Sequence, residues 1–238
     1  MSRALIQETL RAIRGSLGRF LAIMGIVALG CGFFAGLQMT GRDMRLSADE
    51  FYDAQGLYDI RVVSTLGFEQ ADIDRLAAIE GVEKVLPARS VDVMATMGST
   101  RVVTRVMELP STTTAASQKN DVTENDVKEG ASAFNQPVLT DGRWPEAANE
   151  VVISSDPKKH SDVPLGSVIE IPESTDGLHI KGGSYTVVGY VNSPNFPFSS
   201  NFGSTSLGNG TVEEFAYVSS DAFAADDPYT DVYLKVRG

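Results

Sequence analysis

The residue types that most often bind metals or act as nucleophiles are sparse in this chain. The two histidines, His160 and His179, lie in polar stretches, and neither is followed three or four residues later by a metal-ligating residue. A single cysteine, Cys31, excludes an intramolecular disulfide. These residues therefore predict neither a zinc site nor a disulfide framework.

Two glycine-rich stretches resemble catalytic motifs without completing them. Gly203–Ser206 places Thr205 where a G-x-S-x-G nucleophile elbow requires serine. Gly177–Gly183 has the glycine spacing of a phosphate-binding loop, but Gly183 stands where the lysine is needed. Two carboxylate pairs, Asp72 with Asp74 and Asp226 with Asp227, are candidates for a calcium site but are more typical of a solvated surface. We predict that the chain is not an enzyme and holds no metal or cofactor.

The longest uncharged run is residues 20–39, and we expect the rest of the chain to be arranged around it. Twenty apolar residues in a helix cross a hydrocarbon core of about 30 Å. Residues 1–45 carry a net charge of +4, whereas the whole chain carries −11, so the remainder is strongly acidic. Four of the six arginines in residues 1–45 precede the run, and this asymmetry predicts a cytoplasmic amino terminus with residues 40–238 extracytoplasmic. Because the exterior part is acidic, we predict that the chain has no nucleic-acid partner.

Three other interpretations of this run are weaker. A cleaved signal peptide has an apolar core of about 7–15 residues and a small-residue cleavage site, but this run is longer and ends in Gly36–Met39. Ala28–Cys31 suggests a lipoprotein site, yet apolar residues continue for two turns beyond Cys31. A buried helix of a soluble protein is disfavoured by the length and by the charge asymmetry. A retained transmembrane helix at 20–39 is the prediction.

Small residues recur along one face of this helix. Ala28, Gly32 and Gly36 follow each other at intervals of four, a spacing that lets two membrane helices approach closely. Glycine and alanine are also common in membrane helices without any such role. Specific packing against another membrane helix is therefore one of two open interpretations.

The flanks of the span are also predicted to be helical. Residues 1–19 place Ile6, Leu10, Ile13 and Leu17 at helical spacing, which indicates an amphipathic segment at the cytoplasmic surface or simply a basic flank. Residues 40–56 are polar and tolerate a helix, so we expect a juxtamembrane continuation that stops at Gly56.

The rest of the chain predicts an α+β fold. The first elements are a strand at 58–64, an amphipathic helix at 68–79, and strands at 82–95 and 101–109 joined by a hairpin at 98–100. Residues 110–136 and 192–211 are rich in small polar residues, and we expect long mobile loops there. The later strands are expected at 150–154, 163–171, 185–191, 215–219 and 231–236.

Several segments in order resemble the FtsX-like, MacB-type (type VII) ABC transporter permeases. They are the first membrane helix from LGRFL into GIVALGCGFFAGL, YDIRV at 58–62, ADIDRLAAIEGVEKV at 71–85, LTDGRW at 139–144 before EVVIS, YTVVGY at 185–190, and GSTSLGNG at 203–210 before FAYVS. Their order and spacing extend over nearly the whole chain.

The resemblance implies a two-lobed extracytoplasmic domain. A porter-like α+β lobe would comprise 57–109 and 220–238, with a mobile loop at 110–136 and an inserted β-rich lobe at 137–219. It also implies that further permease helices lie outside these 238 residues.

The function implied is a non-enzymatic transporter component. A separate cytoplasmic ABC ATPase would drive motion of the exterior domain, for export or for mechanical control of a partner. The implied partners are the lipid bilayer, the remaining permease helices or a second permease copy, and that ATPase. The alternative is a stand-alone membrane-anchored binding or adhesion module.

Overall fold

A computed structural model of the protein describes residues 7, 11, 15–110, 134–156, 162–173, 180–196 and 202–237. It divides into two units, Met1–Phe51 and Tyr52–Gly238. Strands and helices are numbered below in chain order.

Helix α1, Leu17–Gln55, is one continuous helix of 39 residues. At about 1.5 Å per residue it is about 58 Å long, roughly twice the thickness of a hydrocarbon core. Its apolar part has a mean hydropathy of 2.3, and it is the one helix of the described chain that is long and apolar enough to span a membrane. Gly56 ends it with a positive φ of 59°, because Leu57 N then donates to Tyr52 O at 3.0 Å. The predicted span and its continuation to Gly56 are thus a single helix.

The second unit contains a small antiparallel sheet with the order β1-β10-β2. Its strands are β1 Ile60–Phe68, β2 Val82–Ala88 and β10 Tyr229–Val236. Helix α2, Gln70–Ala77, covers one face, where Ile73 packs with Val232 and Leu234. The helix predicted at 68–79 is therefore present and slightly shorter. The strand predicted at 231–236 lies beside the first strand of this sheet, since Val62 pairs with Val232.

The remaining strands form a barrel. They are β3 Ser90–Met97, β4 Thr100–Glu108, β5 Val138–Gly142, β6 Glu150–Ser154, β7 Val168–Ile171, β8 Gly183–Asn192 and β9 Glu214–Val218. The order is β5-β8-β6-β9-β4-β3-β7, and β7 also pairs with β8. That last pairing closes a ring of six strands, with β5 added alongside the end of β8. Alternate apolar residues fill the interior, among them Val106, Ile153 and Ile169.

The boundary between the two lobes differs from the prediction. Strands β3 and β4, which were expected in the porter-like lobe, pair with β7 and β9 and belong to the barrel. The run 82–95, expected as one strand, is two strands separated by Arg89. Its alternation of side chains continues across the break, so the pattern alone does not reveal that the chain changes sheets there.

The predicted loops are only partly described. Residues 111–133 lie outside the described residues, but Phe134 and Asn135 at the end of the predicted loop are buried. In the second predicted loop, Phe196 stacks on Phe215 at 4.6 Å between ring centroids, and Phe202 packs edge-on to both rings. Phe196 and Phe202 therefore pack against the barrel, contrary to the expectation of a loosely held segment.

Candidate functional site at the junction of the two sheets

Strand β2 of the small sheet and strand β3 of the barrel are connected by a single residue, Arg89. Arg89 is buried, and its Nε donates to the backbone oxygen of Asp227 at 3.0 Å. Its Nη1 donates to Glu108 Oε2 at 3.1 Å, and its guanidinium lies 4.6 Å from the centre of the Tyr229 ring. Burial raises the pKa of Glu108, while the charge of Arg89 opposes that rise. Arg89 and Glu108 are both largely shielded from water, so each buried charge is stable only while the other is present.

A second polar cluster joins β3 to β10. The Asp231 side chain is 1% exposed, and its Oδ2 accepts from Ser90 Oγ at 2.6 Å and from Thr230 Oγ1 at 2.9 Å. Its Oδ1 accepts from Arg61 Nε at 2.8 Å and Nη2 at 2.6 Å. The backbone N–H of Ser90 donates to Thr230 Oγ1 at 2.8 Å. The buried carboxylate of Asp231 therefore connects the central strand β10 both to β1 in the small sheet and to β3 in the barrel.

The end of α1 is bonded to the same sheet. Gly56 O accepts from Asn135 N at 2.9 Å, and Asp59 N donates to Leu234 O at 2.9 Å. Lys235 Nζ donates to Leu57 O and to Asp59 Oδ1, both at 3.0 Å. The N–H of Val236 and the ammonium of Lys235 lower the pKa of Asp59. The chain thus passes from the helix into a hydrogen-bonded strand within four residues.

A cavity of about 210 Å³, here called the junction cavity, lies beside these contacts. Both sheets line it: Leu86 and Tyr233 come from the small sheet, and Met107 and Glu108 from the barrel. Burial raises the pKa of Tyr217, which also lines it, to about 12. This tyrosine stays neutral at physiological pH, and its hydroxyl forms a hydrogen bond of 2.7 Å with the hydroxyl of Ser193.

Residues 20–238 match the family of the MacB-like periplasmic core domain. The chain belongs to this family. It is therefore a MacB-like extracytoplasmic domain of an ABC transporter permease with an apolar helix before it.

Three solved structures are similar to this MacB-like chain. The extracellular domain of the noncanonic ABC-type transporter YknZ from Gram-positive bacteria is 14% identical, with a TM-score of 0.38 over 74% of this chain and 76% of that one. The periplasmic region of MacB from Actinobacillus actinomycetemcomitans is 12% identical, with a TM-score of 0.36 over 74% and 66% of the two chains. A domain of a putative permease protein from Porphyromonas gingivalis is 14% identical, with a TM-score of 0.37 over 74% and 63%. No curated protein sequence matches the chain.

Two of the MacB-like sequence segments have clear structural roles. In LTDGRW, a side chain at Gly142 would lie 2.3 Å from Val188 O, so only glycine fits at its φ of 80°. Arg143 in the same segment pairs with Glu150. In GSTSLGNG, Gly208 has a φ of 55° and lies close to the Val103 side chain. The first segment comprises most of strand β5 and the two residues that follow it, and the second forms a turn that packs on the barrel.

The predicted packing residues Ala28, Gly32 and Gly36 lie in α1. At Gly32 and Gly36 a side chain would meet no atom within 4 Å, and α1 has no buried residue. The face is open within the described residues, so its packing remains a prediction. His160 and His179 lie outside the described residues, Cys31 is exposed, and the described part holds no group of three potential metal ligands.

The junction itself was not predicted from the sequence. Its signal is an isolated charged residue inside an otherwise apolar strand pattern: Arg61 in YDIRVVS, Arg89 in VLPARSV and Asp231 in TDVYL. Such residues are costly to bury unless they are paired.

Proposed function

We propose that this chain is the membrane-anchored part of an ABC transporter permease that passes motion from a cytoplasmic ATPase to its extracytoplasmic domain. The amino terminus is cytoplasmic and residues 40–238 are extracytoplasmic. Its partners are the lipid bilayer, the remaining permease helices or a second permease copy, and the ATPase, which is a separate polypeptide. Export of a substrate and mechanical control of an exterior partner are the two outputs compatible with this role.

The observation that carries the proposal is the direct bonding of the end of α1 to the small sheet. A helix is stiff along its axis, and a flexible linker after it would absorb any displacement. Here the backbone of Gly56, Leu57 and Asp59 is instead bonded to Asn135, Lys235 and Leu234. A displacement of the final helical turn would therefore move β1 and β10 with it.

The junction then carries such a displacement into the barrel. Asp231 on β10 binds Ser90 on β3, and Arg89 binds Glu108 on β4. Breaking the Arg89–Glu108 pair leaves an unpaired buried charge, which typically costs about 3–5 kcal/mol, and separating Ser90 from Asp231 removes a hydrogen bond to a buried carboxylate. Thermal motion seldom supplies that energy, so the two sheets would move together.

The face formed by Ala28, Gly32 and Gly36 is proposed to pack against another permease helix. Small residues at intervals of four bring helix backbones close together in a membrane. This contact would pass helix movements in the rest of the permease to α1.

The test compares two insertions in the full chain, assembled in membranes with the permease and ATPase of its own transporter. Gly-Gly-Ser after Gly56 should loosen the helix from the sheet, whereas the same insertion between Gly98 and Ser99, an exposed hairpin turn, serves as the matched control. The measurement is hydrogen exchange in β1 and β10 with ATP and with ADP plus vanadate.

We expect nucleotide-dependent exchange in the wild-type chain and in the hairpin variant. The variant with the insertion after Gly56 should lose that dependence while ATP hydrolysis continues. If the wild-type chain shows no dependence on nucleotide, or does not assemble with an ATPase, the stand-alone anchored module becomes the better account.

A further inference from the structure

Residues 134–136, here called the latch, connect the end of α1 to the barrel. Gln136 N donates to Gln55 O at 3.2 Å, and Asn135 N donates to Gly56 O at 2.9 Å. Both oxygens lie at the carboxyl end of the helix, where backbone carbonyls have no partner within the helix itself. Strand β5 begins two residues after the latch. The latch is therefore a direct connection from α1 to a barrel strand that does not pass through the small sheet.

The middle residue of the latch has an unusual backbone conformation. Asn135 has a φ of 52°, and it is the one residue other than glycine in the described chain whose φ is positive. This left-handed region is disfavoured for residues with a side chain, although asparagine enters it more readily than most. Holding the bond to Gly56 therefore keeps Asn135 in a conformation that an unconstrained chain adopts rarely.

The side chain of Asn135 does little to hold the latch in place. It is 2% exposed, yet no described residue donates a hydrogen bond to its Oδ1. It lines the junction cavity, whose volume of about 210 Å³ is roughly seven times the share of one water in the liquid. The cavity therefore leaves space beside the latch into which this side chain can move without displacing the barrel.

The two ends of the latch are anchored. Phe134 is buried, and so is Pro137, which follows the latch directly. Beyond Pro137 the chain enters the barrel, where Leu139 on β5 pairs with Val191 on β8. A movement of the latch is therefore restricted to Asn135 and Gln136, the two residues whose N–H groups bind α1.

Bonds of a stronger kind join the same end of α1 to the small sheet. Lys235 Nζ donates to Leu57 O and to Asp59 Oδ1, and Val236 N donates to Asp59 Oδ2. Each of these bonds has one ionised partner, whereas the two latch bonds join neutral backbone groups. Because charge-assisted bonds are roughly twice as strong as neutral ones, the latch bonds should open while the contacts with the small sheet persist.

We propose that the latch opens and closes as a conformational switch at the end of α1. In the closed state α1 is bonded both to the small sheet and to the segment that leads into β5. In the open state Asn135 leaves the left-handed region, its side chain moves into the junction cavity, and the helix end stays bonded to the small sheet. The inference goes beyond the proposed function and does not depend on it, since it requires neither an ATPase nor further permease helices.

The experiment measures hydrogen exchange by NMR at the amides of Asn135 and Gln136 in the full chain in detergent micelles, at several low urea concentrations. Exchange through a local opening is independent of urea, whereas exchange through global unfolding accelerates as urea rises. We expect the latch amides to be protected at least about a hundredfold less than those of β6 and β9, without dependence on urea. Absence of any protection in the latch, or protection and urea dependence equal to those of β6 and β9, overturns the proposal.

Two variants at one position test the left-handed conformation. Asn135→Gly and Asn135→Ala both lack the polar side chain and differ by a single methyl group. Glycine adopts a positive φ freely, whereas alanine does not. After correction for intrinsic rates, the Gln136 amide should exchange at least about fivefold faster in Asn135→Ala than in Asn135→Gly. Equal exchange in the two variants overturns the proposal, because the closed state would then not require the left-handed conformation.

The matched control is the same pair of substitutions at Asn149, an exposed turn residue whose φ is not positive. Asn149→Gly and Asn149→Ala should leave exchange at Gln136 as it is in the wild-type chain. A difference of the same size between these two control variants would assign the effect at Asn135 to a general change in stability, and the switch would be rejected.

Discussion

The barrel and the small sheet bury their side chains in different ways. Six strands of the barrel close on one another, and their interior holds aliphatic residues such as Val151, Ile153 and Ile169 with no exposure. The small sheet has two open edges, and one of its faces rests on paired charges at the junction. Leu66 near its edge is 93% exposed. The barrel is therefore stabilised chiefly by its own interior, whereas the small sheet depends on polar contacts with its neighbour.

The largest effect is expected from removing the charge that connects the two sheets. Asp231→Asn leaves Arg61 without its partner and disturbs the bonds to Ser90 and Thr230, so the free energy of unfolding of the small sheet should fall by about 3–5 kcal/mol. Hydrogen exchange in the full chain measures this separately for each sheet. Asp74→Asn on the exposed face of α2 is the control and should change stability by less than about 0.5 kcal/mol.

We expect the loss of stability in Asp231→Asn to be confined to the small sheet, because the barrel is stabilised chiefly by its own interior. Amides of β1 and β10 should exchange faster in Asp231→Asn, while those of β6 and β9 keep their protection. Equal loss of protection in both sheets would show that the barrel is not independent.

Removing volume from the barrel interior should affect both sheets. Ile153→Ala creates a cavity at a site with no exposure, and such changes typically cost about 2–5 kcal/mol. Because the small sheet relies on the barrel, its amides should lose protection together with those of the barrel. Ile79→Ala, at an exposed position, provides the control. A barrel mutation that leaves β1 and β10 protected would contradict the proposed dependence.

Close backbone approach is the next test of the small sheet. At Gly67, φ is 82° and an added Cβ would lie 2.4 Å from Pro228 Cβ, whereas at Gly81, φ is 93° and the space is open. Both Gly→Ala changes carry the cost of a positive φ, about 1 kcal/mol, but only Gly67→Ala adds a clash. We expect a loss of about 2–3 kcal/mol at Gly67 and about 1 kcal/mol at Gly81, measured by urea unfolding. Equal losses would mean that the turn before β10 moves aside freely.

The smallest effect belongs to an ion pair on the surface of the barrel. The bonds from Arg143 lower the pKa of Glu150 from 4.5 to about 2. The stabilisation is therefore complete above pH 4.5 and is lost as the pH falls towards 2. Because Arg143 is half exposed, Glu150→Gln should cost about 1 kcal/mol at pH 7 and nothing below pH 2. Urea unfolding at several pH values measures the difference, and a loss independent of pH would assign the effect to packing.

Periodicity predicted most of the elements because each follows a local pattern. The uncharged run at 20–39 identifies α1, and the β-branched alternation of EVVIS identifies β6. The pairing partner of a strand is not predicted in this way, because it depends on contacts between residues that are far apart in the chain. The parallel pairing of β4 with β9 joins Thr104 to Glu214, and nothing local to either strand indicates it.

The junction was not predicted for a related reason. The bond between Arg61 and Asp231 connects residues 170 positions apart, and nothing near either residue in the sequence identifies the other as its partner. Low apolar content also misled the expectation for 192–211, because Phe196 and Phe202 are few but pack fully on Phe215. A count of apolar residues does not reveal which of them share one cluster.

The central position of β10 determines when the small sheet can form during synthesis. Strands β1 and β2 have no other partner in the sheet, so they wait for Tyr229–Val236 to leave the ribosome. At roughly 5–20 residues per second, that interval is about 8–34 s after β1 appears. The barrel strands emerge within this time and can close first, while the two unpaired strands remain open to wrong partners. Chaperone demand for this domain should therefore concentrate on its first strands, although they are made earliest.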